Sequence, residues 1–148
     1  MLSPFRESGL SHGSRTSTRG KVRVSDTFTS RQGEGKLTGT ETFFIRTSGC
    51  NLRCWFCDTP YASWDPTGDQ IDIETLVHRA VESGRTHVVL TGGEPLLPRA
   101  SVSLCQELQH AGLHVTVETA GTLDRDLSCD LMSISPKLTG STPDANQH

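Results

Sequence analysis

The chain has 148 residues, with 14 Lys+Arg against 17 Asp+Glu and a formal charge of −3. That length suits one compact domain, and the near-neutral balance lacks the basic footprint of a nucleic-acid binder. No apolar run approaches the ~20 residues that span a bilayer, so a soluble protein without a membrane segment is expected.

Residues 1–21 are basic, rich in Ser, Arg and Gly, and without periodicity, which predicts a disordered extension ahead of a domain over 22–148. Val22 to Thr29 reads as a short strand running into a Gly-rich loop, Gln32-Gly33-Glu34-Gly35. Glu41 to Thr47 (ETFFIRT) reads as a strand, and a cysteine-rich loop follows it. Asp72 and Ile73 open a helix with Leu76, Val77, Ala80 and Val81 on one face, and Gly84 ends it. His87 to Leu90 reads as a buried strand leading into Thr91-Gly92-Gly93-Glu94-Pro95. Ala100 to Ala111 is a second helix, and Leu113 to Glu118 and Leu131 to Ser135 are further strands. Strands alternating with helices predict parallel βαβ units. In such sheets the site lies at the carboxyl ends of the strands, so the loops after the strands should converge on one edge. The polar tail after Lys137 reads as a frayed end.

Five cysteines are present, and three are crowded as Cys50-x3-Cys54-x2-Cys57. A secreted disulfide scaffold spreads its cysteines evenly, so this clustering points to metal binding and a reducing compartment, the cytoplasm. Three thiolates on one loop can hold three irons of a cubane cluster and leave the fourth iron open. Zinc is the alternative on spacing. A structural zinc site wants four protein ligands, and the fourth would have to come from Cys105, Cys129 or a distant His. Cys105 and Cys129 themselves read as small core residues, and the histidines show no ligand spacing.

The stretch Gly49-Cys50-Asn51-Leu52-Arg53-Cys54-Trp55-Phe56-Cys57, followed after the next buried strand by Gly92-Gly93-Glu94-Pro95, resembles the paired motifs of radical S-adenosylmethionine (SAM) enzymes. Gln32-Gly33-Glu34-Gly35, Arg46, Asp58-Thr59, Glu118-Thr119 and Ser135-Pro136-Lys137 narrow the resemblance to the 7-carboxy-7-deazaguanine synthases of 7-deazapurine (queuosine) biosynthesis. The resemblance implies an α/β fold, a partial (β/α) barrel that is truncated at its C-terminal side. It implies a [4Fe–4S] cluster on Cys50, Cys54 and Cys57, and SAM against Phe56, Cys57, Asp58, Gly93 and the Ser135, Pro136, Lys137 turn. Glu94 would offer its carboxylate to an ammonium group. Mg2+ would take the Thr59 hydroxyl as a ligand. Arg31, Gln32, Gly33, Arg46 and Thr91 would line the pocket for 6-carboxy-5,6,7,8-tetrahydropterin, with Arg46 suited to its carboxylate and Gln32 to the pterin edge. The implied reaction is a lyase step in which hydrogen-atom abstraction leads to ring contraction and loss of ammonia. Implied partners are the small-molecule substrate and an electron donor such as flavodoxin or ferredoxin, and homodimers are common in the family.

Ala120 stands where the family commonly has Asn. Two other readings are carried. A glycyl-radical activating enzyme shares the cysteine motif, but the QGEG, Asp58-Thr59 and SPK elements argue against it. A catalytically inert module holding a cluster or zinc is the non-enzymatic alternative.

Overall fold

The structure is a computed structural model and describes residues 20–142. The expected N-terminal extension lies outside the described residues except at its end, where Lys21 already opens the first strand. Six strands form one mixed sheet: β1 (Lys21–Arg31), β2 (Glu41–Thr47), β3 (Asp69–Asp72), β4 (His87–Gly92), β5 (His114–Thr119) and β6 (Leu131–Ile134). Their order across the sheet is β3-β1-β2-β4-β5-β6. From β2 to β6 neighbouring strands are parallel, as expected, with Arg46 opposite Thr91 and Val117 opposite Met132. β1 and β3 are antiparallel additions on the other side.

The helices are α1 (Pro60–Ser63), α2 (Ile73–Glu82) and α3 (Ser101–His110). In α2 the buried residues are Ile73, Leu76 and Ala80, with Val77 packed beside them. That is the i, i+3, i+4, i+7 face of an α-helix. Val81, also expected on this face, lies at the edge of the stripe and is half exposed. Helix α3 buries Leu104, Cys105 and Leu108. Burial pushes the Cys105 thiol up to about 12, which fits a core residue and not a ligand. Cys129 packs against the same core.

Strand alternation then separates two faces of the sheet. Phe43 and Ile45 of β2, and Val115 and Val117 of β5, join the helices in the core. Phe44 and Arg46 of β2, and Glu118 of β5, border a cavity instead. Phe28 of β1 stacks on its register partner Phe44, with ring centroids 5.0 Å apart and nearly parallel planes. Helices α2 and α3 therefore cover one face, and the other face is free to build a site.

Two elements were absent from the sequence reading. β3 (DQID) has too little apolar alternation to announce a strand; it forms because β1 offers it a free edge. α1 is a single turn that starts on Pro60, a residue whose missing N–H costs nothing at that position. The described residues after Lys137, 138–142, are also ordered by local contacts. Residues Thr139–Ser141 form a 3-10 turn, and the Trp55 backbone and indole N–H groups donate to Ser141 and Gly140 carbonyls at 3.1 and 3.0 Å.

The β5–β6 connection is held by Asp130. Its Oδ2 accepts from Val115 N–H at 2.8 Å and from the Gln109 amide at 3.2 Å. The Val115 hydrogen bond is the leading cause that holds this carboxyl below its ordinary range. A depressed folded pKa means stability that is present at neutral pH and lost as pH falls through the folded value. Asp130→Asn should therefore flatten the acid limb of a stability–pH curve measured by urea unfolding. Leu104→Ala, at a fully buried site, should cost ~2–5 kcal/mol in the same assay.

Candidate active site

The loops that follow β2, β4, β5 and β6 meet over one cavity of about 630 Å³ on the face opposite α2 and α3. That volume lies within the roughly 300–1,000 Å³ usual for small-molecule sites. Cys50, Cys54 and Cys57 all border it, as do Phe56, Asp58, Thr59, Gly93, Ser135 and Lys137. Pro136, grouped with these from the sequence, is exposed and does not border the cavity, because the turn directs its flanking residues inward.

The cysteine loop is pinned by α1. Gly49 N–H donates to the Ala62 carbonyl at 2.8 Å, and the Trp64 indole N–H donates to the Cys54 carbonyl at 3.0 Å. Ser63 places its hydroxyl 3.0 Å from the Cys57 sulfur, and the Thr59 hydroxyl lies 3.8 Å from the same sulfur. Leu52 N–H points at the Cys50 sulfur at 3.4 Å. Burial pushes the Cys50 thiol up; the Leu52 N–H opposes this, and the Glu94 charge adds to it. Ser63 was not singled out in the sequence. No motif spacing marks it, since only the turn of α1 brings it back to Cys57.

The Gly-Gly pair after β4 has a packing reason. A Cβ on Gly92 would strike the backbone of Thr47, and a Cβ on Gly93 would strike the carbonyls of Gly49 and Ala62. Only glycines let this loop lie against the base of the cysteine loop. Glu94 is 1% exposed and is held by protein donors. Oε1 accepts from Leu96 N–H at 3.0 Å and from the Thr119 hydroxyl at 2.7 Å, and Oε2 accepts from Ala120 N–H at 3.0 Å. The carboxylate is a brace that ties the loop after β4 to the loop after β5. A backbone N–H supplies the contact at Ala120, so the missing Asn side chain does not remove it.

The opposite wall is polar. Arg46 is 18% exposed and lies between two rings, with its guanidinium carbon 5.4 Å from the Phe28 centroid and 5.9 Å from that of Tyr61. Asp26 lies 3.6 Å from Arg46 Nε, an ion pair without a hydrogen bond, so Nε stays buried and unpartnered. This leaves hydrogen-bonding capacity for an anion in the cavity. Gln32 donates from Nε2 to Glu118 Oε1 at 2.7 Å and accepts at Oε1 from Gly33 N–H at 3.0 Å. Gln32 thereby fixes Glu118, whose role no motif spacing marks. Thr91 borders the cavity beside Arg46. Arg31 also borders it, but its side chain is 76% exposed and paired with Glu41 at 2.9 Å. Arg31 thus stands at the rim of the cavity, whereas Arg46 lies deeper in its wall.

The donor set can be tested against the groups the motifs imply. No group of three or more His, Cys, Asp or Glu among the described residues closes around a single metal ion. A cubane places its irons at separate corners, so its thiolates need only face one shared space, as these three do. A tetrahedral zinc site would need a fourth ligand, and the two other cysteines are committed to the core. The thiol set, facing one shared space, fits a cluster that would keep one iron free of protein ligands.

A family profile for the radical SAM superfamily matches residues 44–136, and the chain belongs to that superfamily. Its members carry a [4Fe–4S] cluster and SAM. The chain is 58% identical over 98% of its length to the 7-carboxy-7-deazaguanine synthase of Rhodopirellula baltica, covering 56% of that relative. It is 51% identical over 82% of its length to the synthase of Halobacterium salinarum, covering 48% of it. The chain thus spans about half the length of the curated relatives it matches. The crystal structure of QueE from Escherichia coli superposes with a TM-score of 0.71 at 26% identity, over 86% of this chain and 66% of that one.

The Glu94 brace is testable. In Glu94→Gln an amide N–H2 must face a set of donors, so the variant should lose ~1–3 kcal/mol in urea unfolding. Glu118→Gln, on the cavity wall, should stay within about 0.5 kcal/mol of the parent.

Proposed function

We propose that this domain serves the reaction named for its relatives, the formation of 7-carboxy-7-deazaguanine from 6-carboxy-5,6,7,8-tetrahydropterin with loss of ammonia. The observation that carries this reading is the meeting of three cysteines, the Gly-Gly loop and a wall of Arg46, Gln32 and Glu118 over one cavity. When bound, the cluster and SAM supply hydrogen-atom abstraction. Cys50, Cys54 and Cys57 hold the cluster. Phe56, Asp58, Gly93, Ser135 and Lys137 surround SAM, and Thr59 offers a neutral oxygen to Mg2+.

The remaining chemistry belongs to the wall. Arg46, held flat between Phe28 and Tyr61, presents a guanidinium fork to the substrate carboxylate. Gln32 and Glu118 together offer both a donor and an acceptor to the pterin edge. Phe44 and Phe28 supply an apolar floor against which the bicyclic ring can lie. Free thiols at all five cysteines suit a reducing cytoplasm. No helix among the described residues is long and apolar enough to cross a membrane. A small electron-transfer protein such as flavodoxin or ferredoxin would supply electrons, and a homodimer would follow the family habit.

The test is an anaerobic assay of the reconstituted chain with SAM, Mg2+, reductant and carboxytetrahydropterin, read by mass spectrometry. Appearance of 7-carboxy-7-deazaguanine is expected. Deoxyadenosine without the deazaguanine would instead mean a SAM site that lacks its pterin chemistry. Within an active preparation, Arg46→Gln should raise KM for the carboxypterin by about 10- to 100-fold, the loss expected for one charge-assisted hydrogen bond.

A further inference from the structure

We propose that Ser63 is a positioning residue that sets the reduction potential of the cluster by donating a hydrogen bond to the sulfur of Cys57. The proposal rests on the reading that Cys50, Cys54 and Cys57 hold a [4Fe–4S] cluster. The Ser63 side chain is 4% exposed and borders the cavity on the inner side of α1. Its Oγ lies 3.0 Å from Cys57 Sγ and 3.3 Å from the Thr59 carbonyl. As a free thiol, Cys57 could be either donor or acceptor in that contact. As an iron ligand it is a thiolate with no proton, so the hydroxyl must be the donor. The Thr59 carbonyl competes for the same proton, but it already accepts from Ala62 N–H at 2.9 Å. The sulfur is closer and carries the negative charge, so it is the stronger acceptor.

A donor aimed at a ligand sulfur stabilises the more electron-rich, reduced cluster and raises its potential. The other two cysteines are treated differently. Cys50 faces the backbone N–H of Leu52 at 3.4 Å, and Cys54 has its carbonyl, not its sulfur, tied by Trp64. Among the described residues, the side-chain hydroxyl contacts to a motif sulfur fall on Cys57 alone, from Ser63 at 3.0 Å and Thr59 at 3.8 Å. The two distances rank Ser63 as the effective donor. Its place at the end of a one-turn helix, packed beneath the loop, makes that donor rigid and keeps water from replacing it. The balance of the step is simple: one electron enters the cluster, no proton moves, and the Ser63 O–H dipole compensates the added charge.

The test uses the whole chain reconstituted anaerobically with iron and sulfide, and potentiometric titration monitored by electron paramagnetic resonance. Ser63→Ala should retain full iron and sulfide content and show a lower midpoint. A tenfold loss in the one-electron reduction equilibrium, the size expected, reads as a shift of about 59 mV. Ser63→Thr, which keeps the hydroxyl, should restore the parent value. A Ser63→Ala midpoint equal to the parent, with full iron and sulfide, overturns the proposal. So does failure of Ser63→Ala to assemble a cluster that Ser63→Thr assembles, since the hydroxyl would then be needed for assembly and not for tuning. If the parent chain itself takes up no cluster, the cysteine reading fails, and that outcome is distinct from an unshifted potential.

Discussion

The carboxylate of Glu94 sits where two site loops would otherwise be independent. Leu96 N–H, the Thr119 hydroxyl and Ala120 N–H all converge on it, inside a shell that excludes water. A buried charge is costly unless every lone pair is satisfied, so its three donors fix the loops after β4 and β5 in one mutual arrangement. The loop after β4 can then press its two glycines against Thr47, Gly49 and Ala62, which is the base on which the cysteine loop stands. From that base α1 rises, and with it Ser63, Tyr61 and Trp64.

The short helix α1 consequently links two halves of the chemistry. Through Ser63 and Trp64 it supports the cysteine loop. Through Tyr61 it forms one side of the aromatic clamp on Arg46, whose other side is Phe28 on β1. A shift of this single turn would be felt both by the ligand sulfur and by the cation across the cavity. Packing of this kind holds a site more firmly than loops alone. It also explains why the antiparallel strand β1 belongs to the site although the parallel strands supply its motifs.

Much of this was legible in the chain. The parallel strands, the two helices and the convergence of their loops follow from apolar periodicity and from the rule that βαβ sites open at strand ends. The cysteine spacing carries the metal chemistry. What periodicity could not show were elements too short to have a period. β3 and α1 have four residues each, and the Thr139–Ser141 turn has three.

The sequence by itself determined that the loops after the parallel strands converge on one edge, because βαβ units run their strands in one direction. It determined the cluster-type donor set, because three thiols on one loop have few other uses. Tertiary structure alone decided what the polar groups do there. Glu94 ties two loops because Thr119 and Ala120 reach it from the end of β5, and Arg31 pairs with Glu41 at the cavity rim. Val81 is exposed because its helix meets the sheet along the neighbouring face. Ser63 meets Cys57 only because one helical turn returns it to the loop. These are contacts between residues whose partners are chosen by packing, and no spacing in the chain encodes them.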